Sequence, residues 1–171
     1  TIRDMRSALL SIVVLTAAAI ALGGPMPAAG IEGAFLYLAL LLPSAAEAAV
    51  ARTLRYTSQL RLGFLGSKVT GLGAPRRALH LAAVPAGRMF GYAAILAGGL
   101  TAGGRFGQLC VIFAATGLIS NLVPIGGTFV AGCSQAFLWT ASGSRRVALQ
   151  QLRSMRYPAF FIAAIAGFTI S

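Results

Sequence analysis

The sequence predicts an all-α membrane protein of about four to five hydrophobic helices, and two observations carry that reading. Of its 171 residues, 57% are hydrophobic and only 10% charged, with a mean hydropathy of +0.82. A soluble domain of this length would carry about a quarter of its residues as Asp, Glu, Lys or Arg, so lipid must cover most of this one. Charges and helix breakers also divide the chain into five apolar stretches.

The first stretch runs from Ser7 to about Leu22 and stops at Gly23-Gly24-Pro25, a strong helix terminator. The second, from about Ala34 to Val50, contains Pro43 and Glu47. A basic connector, residues 51–77, follows with six positive charges and no acid. Leu54, Leu60, Leu62, Phe64 and Leu65 lie among those charges, so the connector reads either as an interfacial amphipathic helix with snorkelling arginines or as a solvated loop that sets topology. The third stretch, Ala78 to Gly104, carries Arg88. The fourth, Phe106 to Ser144, has no charge in 39 positions. As one helix it would extend about 60 Å, twice the roughly 30 Å of hydrocarbon, so it is a hairpin or a steeply tilted helix. Pro124, Gly126 and Gly127 in its middle suit a turn or a kink. Arg145, Arg146, Arg153 and Arg156 form a second basic patch before a last apolar run, Tyr157 to Ser171, short for a span. Trp139 and Tyr157 read as interface anchors.

The net charge of +11, with only Asp4, Glu32 and Glu47 as acids, implies anionic lipid such as cardiolipin, or acidic partner subunits, as neighbours. Cys110 and Cys133 read as packing residues rather than a disulfide framework. No CxxC, HExxH, P-loop or GxSxG pattern occurs, and His80 has no clustered Cys or carboxylate. No metal, cofactor or nucleic-acid partner is expected. A start at Thr1 is consistent with a removed presequence.

Arg88 is the residue that demands a purpose. A central arginine in a spanning helix costs about 2.5–3.5 kcal/mol on insertion scales unless it faces protein or water. Around it, Gly87, Gly91, Ala94, Gly98 and Ala102 recur at spacings of four, three, four and four, which puts them on one helix face. Such a face admits a closely packed neighbour. A permanent cation beside a smooth face is what the stator of a rotary proton motor needs: the cation stabilises a carboxylate carried past it and blocks direct proton leakage.

The residues resemble subunit a (subunit 6) of the rotary ATP synthases. "RMFGYAAILAGG" (88–99) is similar to the motif of the family's essential arginine at Arg88, Phe90 and Gly91. "CSQAFLWTASG" (133–143) is similar to its facing-helix motif at Gln135, Ala136 and Phe137. The resemblance covers roughly residues 80–143. It departs from the family at Tyr92, Ala97 and Thr128, where Asn, His and an acid often stand. It implies two long, steeply tilted helices and a single membrane domain: N-terminal helices and connector (1–77), a proton-channel helix pair (78–143) and a basic C-terminal segment (144–171). It also implies a non-catalytic, proton-translocating stator subunit of the mitochondrial inner membrane, working against a c-ring and the other membrane-sector subunits. Arg88 and Gln135 would then line the channel, with Tyr92, Asn121, Glu47, His80 and Ser120 as candidates for the proton path, and the small-residue face would meet the ring.

Each residue also has a plainer expected role. Arg88 would snorkel to the interface if its span began nearby, Gln135 would hydrogen-bond between packed helices, Glu47 would pair with Arg52 at the membrane surface, and His80 would pack at the interface. The alternative function is a structural accessory subunit of an organellar membrane complex, its arginines on lipid and its glycines packing helices.

Overall fold

The computed structural model describes residues 2–122 and 128–147. The turn or kink at Pro124–Gly127, Arg153, Arg156, Tyr157 and the last apolar run fall outside them. The described chain is mostly helical: α1 (Ile2–Ala21), α2 (Met26–Thr53), α3 (His80–Ala102), α4 (Gly104–Leu122) and α5 (Thr128–Ser142), with strands β1 (Gln59–Gly63) and β2 (Gly66–Thr70) between α2 and α3. Four helices, α1 to α4, are long and apolar enough to cross a membrane. The uncharged stretch from Phe106 thus supplies most of α4 and all of α5.

The helix boundaries follow local chemistry. α1 ends where Gly23 takes a positive φ of 85°, which glycine adopts without steric cost. Pro25 then caps α2 with extended dihedrals, and Pro27 falls in the first turn, where its missing N–H removes no helix bond. At the same end of the bundle Gly103 and Gly104, both with φ of 61°, turn α3 into α4.

Packing relies on small residues that bring backbones together, as expected where lipid and side chain are equally apolar. Gly33 of α2 lies against Thr16 of α1, Gly91 of α3 against the backbone of Pro43 in α2, and Gly107 of α4 against Gly99 of α3. A side chain at any of these would occupy its neighbour's space. The core is continuous across four helices, through Leu15 and Ala19 of α1, Leu36 and Leu40 of α2, Ile95 of α3 and Leu109 and Ala114 of α4. Lipid-facing positions are large and apolar, among them Leu9, Val13, Phe35, Leu38, Phe90 and Ile112.

The basic connector is neither an amphipathic helix nor a plain loop. Its centre is a two-stranded antiparallel hairpin, with Gly63 opposite Gly66 and Gln59 opposite Thr70. The hairpin folds back along α2 and inserts beside α1. Ser44 Oγ donates to the carbonyl of Ser67 at 2.6 Å and Tyr37 Oη to that of Gly63 at 3.4 Å. Ser11 Oγ accepts the N–H of Leu65 at 2.9 Å. Ser11 is the tenth of the twenty residues of α1, so the tip reaches the middle of a helix about 30 Å long. A sheet edge survives at that depth only where protein or a water-filled cavity satisfies it, and these three hydroxyls do part of that. Leu65 itself has a φ of 52°, a conformation uncommon for a branched side chain and fixed here by the Ser11 bond.

Candidate functional site

The site forms where α2 and α3 touch. On α3 the buried residues Val84, Gly87, Gly91, Ile95 and Gly99 follow mostly an i+4 row, which slants across a helix surface. The contact therefore starts on the small-residue face and leaves it further along. Gly87 abuts the carbonyl of Ala46 and Cα of Glu47, and Gly91 abuts Pro43, whereas Ala94, Gly98 and Ala102 are exposed. The five small residues do not share one neighbour: α2 of this same chain fills the first two positions.

That approach delivers Arg88 to Glu47. Nη2 of Arg88 lies 2.6 Å from Oε2 of Glu47, with side-chain exposures of 20% and 11%. The structure thus corrects the expected pairing of Glu47 with Arg52: the carboxylate turns inward to Arg88. The contact is an ion pair rather than a linear hydrogen bond, and Nε of Arg88 is buried with no hydrogen-bond partner among the described residues.

The pair stands between two cavities. One, of about 280 Å³, is lined by Glu47, Tyr56, His80, Val84 and Pro85 among others. In its wall Tyr56 Oη accepts the backbone N–H of Arg76 at 2.8 Å and lies 2.7 Å from Nδ1 of His80, leaving the phenol proton free to bond that nitrogen. The guanidinium of Arg76 sits 5.8 Å above the Tyr56 ring. The second cavity, of about 620 Å³, lies between α1, α2, α3 and the hairpin. Its polar lining includes Asp4, Ser44, Arg61, Ser67, Lys68, Arg88 and Tyr92.

A second ion pair closes the far end of the bundle. Arg105, in the first turn of α4, donates from Nε to Oε2 of Glu32 at 2.9 Å and from Nη2 to Oε1 at 2.6 Å. Glu32 and Glu47 are fifteen residues apart on α2, about 22 Å of helix. The two pairs therefore bracket an apolar layer thinner than the roughly 30 Å of a hydrocarbon core.

Of the other expected site residues, His80 shares the smaller cavity with Glu47, and Tyr92 shares the larger with Arg88 while its ring fills the space beside Gly117 of α4. Asn121 is buried on α4 and donates to the carbonyl of Gly117 at 2.8 Å. Ser120 donates to the same carbonyl at 2.9 Å. Gln135 is partly buried on α5, a helix that meets α3 where Gly132 abuts the carbonyl of Leu81. No group of three His, Cys, Asp or Glu side chains able to hold a metal lies among the described residues.

Sequence reasoning missed the hydroxyls that dock the hairpin, Ser11, Tyr37 and Ser44, and the cavity residues Arg61, Ser67 and Lys68. A signal existed: Leu60, Leu62 and Phe64 alternate with Gln59, Arg61 and Gly63, a period of two that suits a strand better than a helix. Comparison of the chain with protein-family models, curated protein sequences and solved structures returns no match, so the chemistry of this site rests on its own residues.

Proposed function

We propose that this chain is a structural, non-catalytic subunit of a membrane assembly, in which Arg88 fixes α3 to α2. The observation that carries this reading is the 2.6 Å contact from Arg88 to Glu47 in the helix seam. A stator arginine must meet a carboxylate on a moving partner. Here the cation is already neutralised within the chain, and the glycines beside it are occupied by α2. Separating a buried pair by removing one member costs about 3–5 kcal/mol, so exchange with an external carboxylate would need an equal return. The large exposed apolar surface, Phe90 on α3 and Ile112 and Ile119 on α4 included, offers lipid or neighbouring subunits ample contact.

The second reading is the proton-translocating stator of a mitochondrial ATP synthase, with its c-ring partner and two tilted channel helices. Two observations favour it. Ala94, Gly98 and Ala102 leave a small-residue strip exposed, and the larger cavity reaches Arg88 from the level of Asp4. The experiment that separates the readings compares Arg88→Ala with the charge-reversed double variant Glu47→Arg/Arg88→Glu in native membranes, following assembly on native gels and proton pumping. The structural reading expects Arg88→Ala to lower assembly and the reversal to restore it. An Arg88→Ala complex that assembles fully but no longer pumps, with no rescue by reversal, would replace it with the stator.

A further inference from the structure

The hairpin places Arg61 directly opposite Lys68 across the β1–β2 ladder. Like charges in register destabilise a two-stranded sheet, and neither side chain forms an ion pair among the described residues. Both are exposed, yet both line the larger cavity, together with Arg88. Three cations thus surround a space with one carboxylate in its lining, Asp4, while Arg88 shares its charge with Glu47. The same wall holds two buried groups with no hydrogen-bond partner among the described residues, Oγ of Ser67 and Nε of Arg88. Unsatisfied buried donors cost about 1–3 kcal/mol each, and one cavity lined by both of their residues and by an uncompensated like-charge pair offers the donors that an anion with several acceptor oxygens would need.

We infer that this cavity binds a phosphate group, and that its source is an anionic phospholipid. Phosphate oxygens match the guanidinium fork of an arginine and the point charge of a lysine. They would also accept from the Ser67 hydroxyl and from Nε of Arg88. The volume of about 620 Å³ is some twenty times the roughly 30 Å³ occupied by a water molecule, ample for a phosphodiester with its glycerol. Phe64 at the hairpin tip is exposed and lines the cavity beside Leu62 and Leu65, an apolar edge suited to an acyl chain. Bound there, the headgroup would neutralise the Arg61–Lys68 repulsion and complete the polar surroundings that a sheet inserted at this depth requires.

The test uses the full chain in nanodiscs of equal parts phosphatidylglycerol and phosphatidylcholine. After transfer to detergent, lipid retained per protein is measured by native mass spectrometry, alongside thermal unfolding with added short-chain phosphatidylglycerol, short-chain phosphatidylcholine or inorganic phosphate. The wild-type chain is expected to retain phosphatidylglycerol and to be stabilised by its short-chain form more than by the zwitterionic lipid. Arg61→Gln/Lys68→Gln should weaken that retention about thirtyfold, in keeping with two basic contacts to an anionic headgroup. Ser67→Ala, which leaves every charge in place, should weaken it less, and Arg145→Gln/Arg146→Gln should leave it unchanged. Equal retention by wild type and the Arg61/Lys68 variant would overturn the site. Stabilisation by inorganic phosphate alone, lost in the same variant, would keep the phosphate chemistry and overturn the lipid source.

Discussion

The two ion pairs of the bundle use the same residue types and behave as different devices. Arg105 meets Glu32 with two hydrogen bonds, 2.9 and 2.6 Å, at the end of the bundle where α2 and α4 begin. Arg88 meets Glu47 through one close contact in the α2–α3 seam, with Nε buried and without a hydrogen-bond partner among the described residues, and a polar cavity beside it. Bidentate geometry satisfies the guanidinium and makes a clamp. The monodentate pair is held by backbone approach at Gly87 and Gly91, and it leaves one guanidinium donor unused among the described residues. Depth and packing, rather than residue type, decide what an intramembrane arginine does here.

The strongest way to break the contrast is to open the seam without touching a charge. Gly91→Val would force a branched side chain into the backbone of Pro43, where neither helix can yield. The expected outcome is loss of monodisperse protein on size-exclusion chromatography in mild detergent, with both cavities lost. Next comes removal of each carboxylate. Glu47→Ala strands a largely buried guanidinium and should lower unfolding free energy by about 3 kcal/mol. Glu32→Ala should cost clearly less, because Arg105 near the bundle end can turn its head toward the interface. Denaturant titration of the purified protein measures both, and equal losses would erase the distinction between the pairs. The smallest effect belongs to Gly98→Ala. Nothing lies within 4 Å of a side chain there, so the change should be neutral or stabilising by up to about 1 kcal/mol through helix propensity. Loss of assembly or pumping in Gly98→Ala would instead reveal a tight external neighbour on that strip.

Much of the architecture was legible. Gly23-Gly24-Pro25 marked the end of α1, and the stretches that became α1, α2 and α3 stood out by length and composition, whereas Phe106 to Ser144 read equally as a hairpin or as one tilted helix. The small-residue face of α3 was visible as well, but periodicity gives a face and not its occupant. That α2 covers Gly87 and Gly91 while Gly98 stays open depends on the slant of the α3 contact. The hairpin escaped because its period-two signal spans only five residues per strand and its Phe64-Leu65 turn lacks the usual Gly or Asn. Arg88 and Glu47 are 41 residues apart, and no local rule links them. The Arg52 expectation, by contrast, had an internal weakness: residues five apart on a helix are not the i+3 or i+4 neighbours that face each other.

The account turns on whether Arg88 and Glu47 are energetically one unit. A double-mutant cycle with Glu47→Gln, Arg88→Gln and the pair of substitutions together, read by reversible unfolding in detergent, measures this most directly. A coupling of about 2 kcal/mol or more, within the range found for contacting residues, is the predicted result. Additive effects to within about 0.5 kcal/mol would mean that the contact holds nothing together, and the structural role assigned to Arg88 would fall.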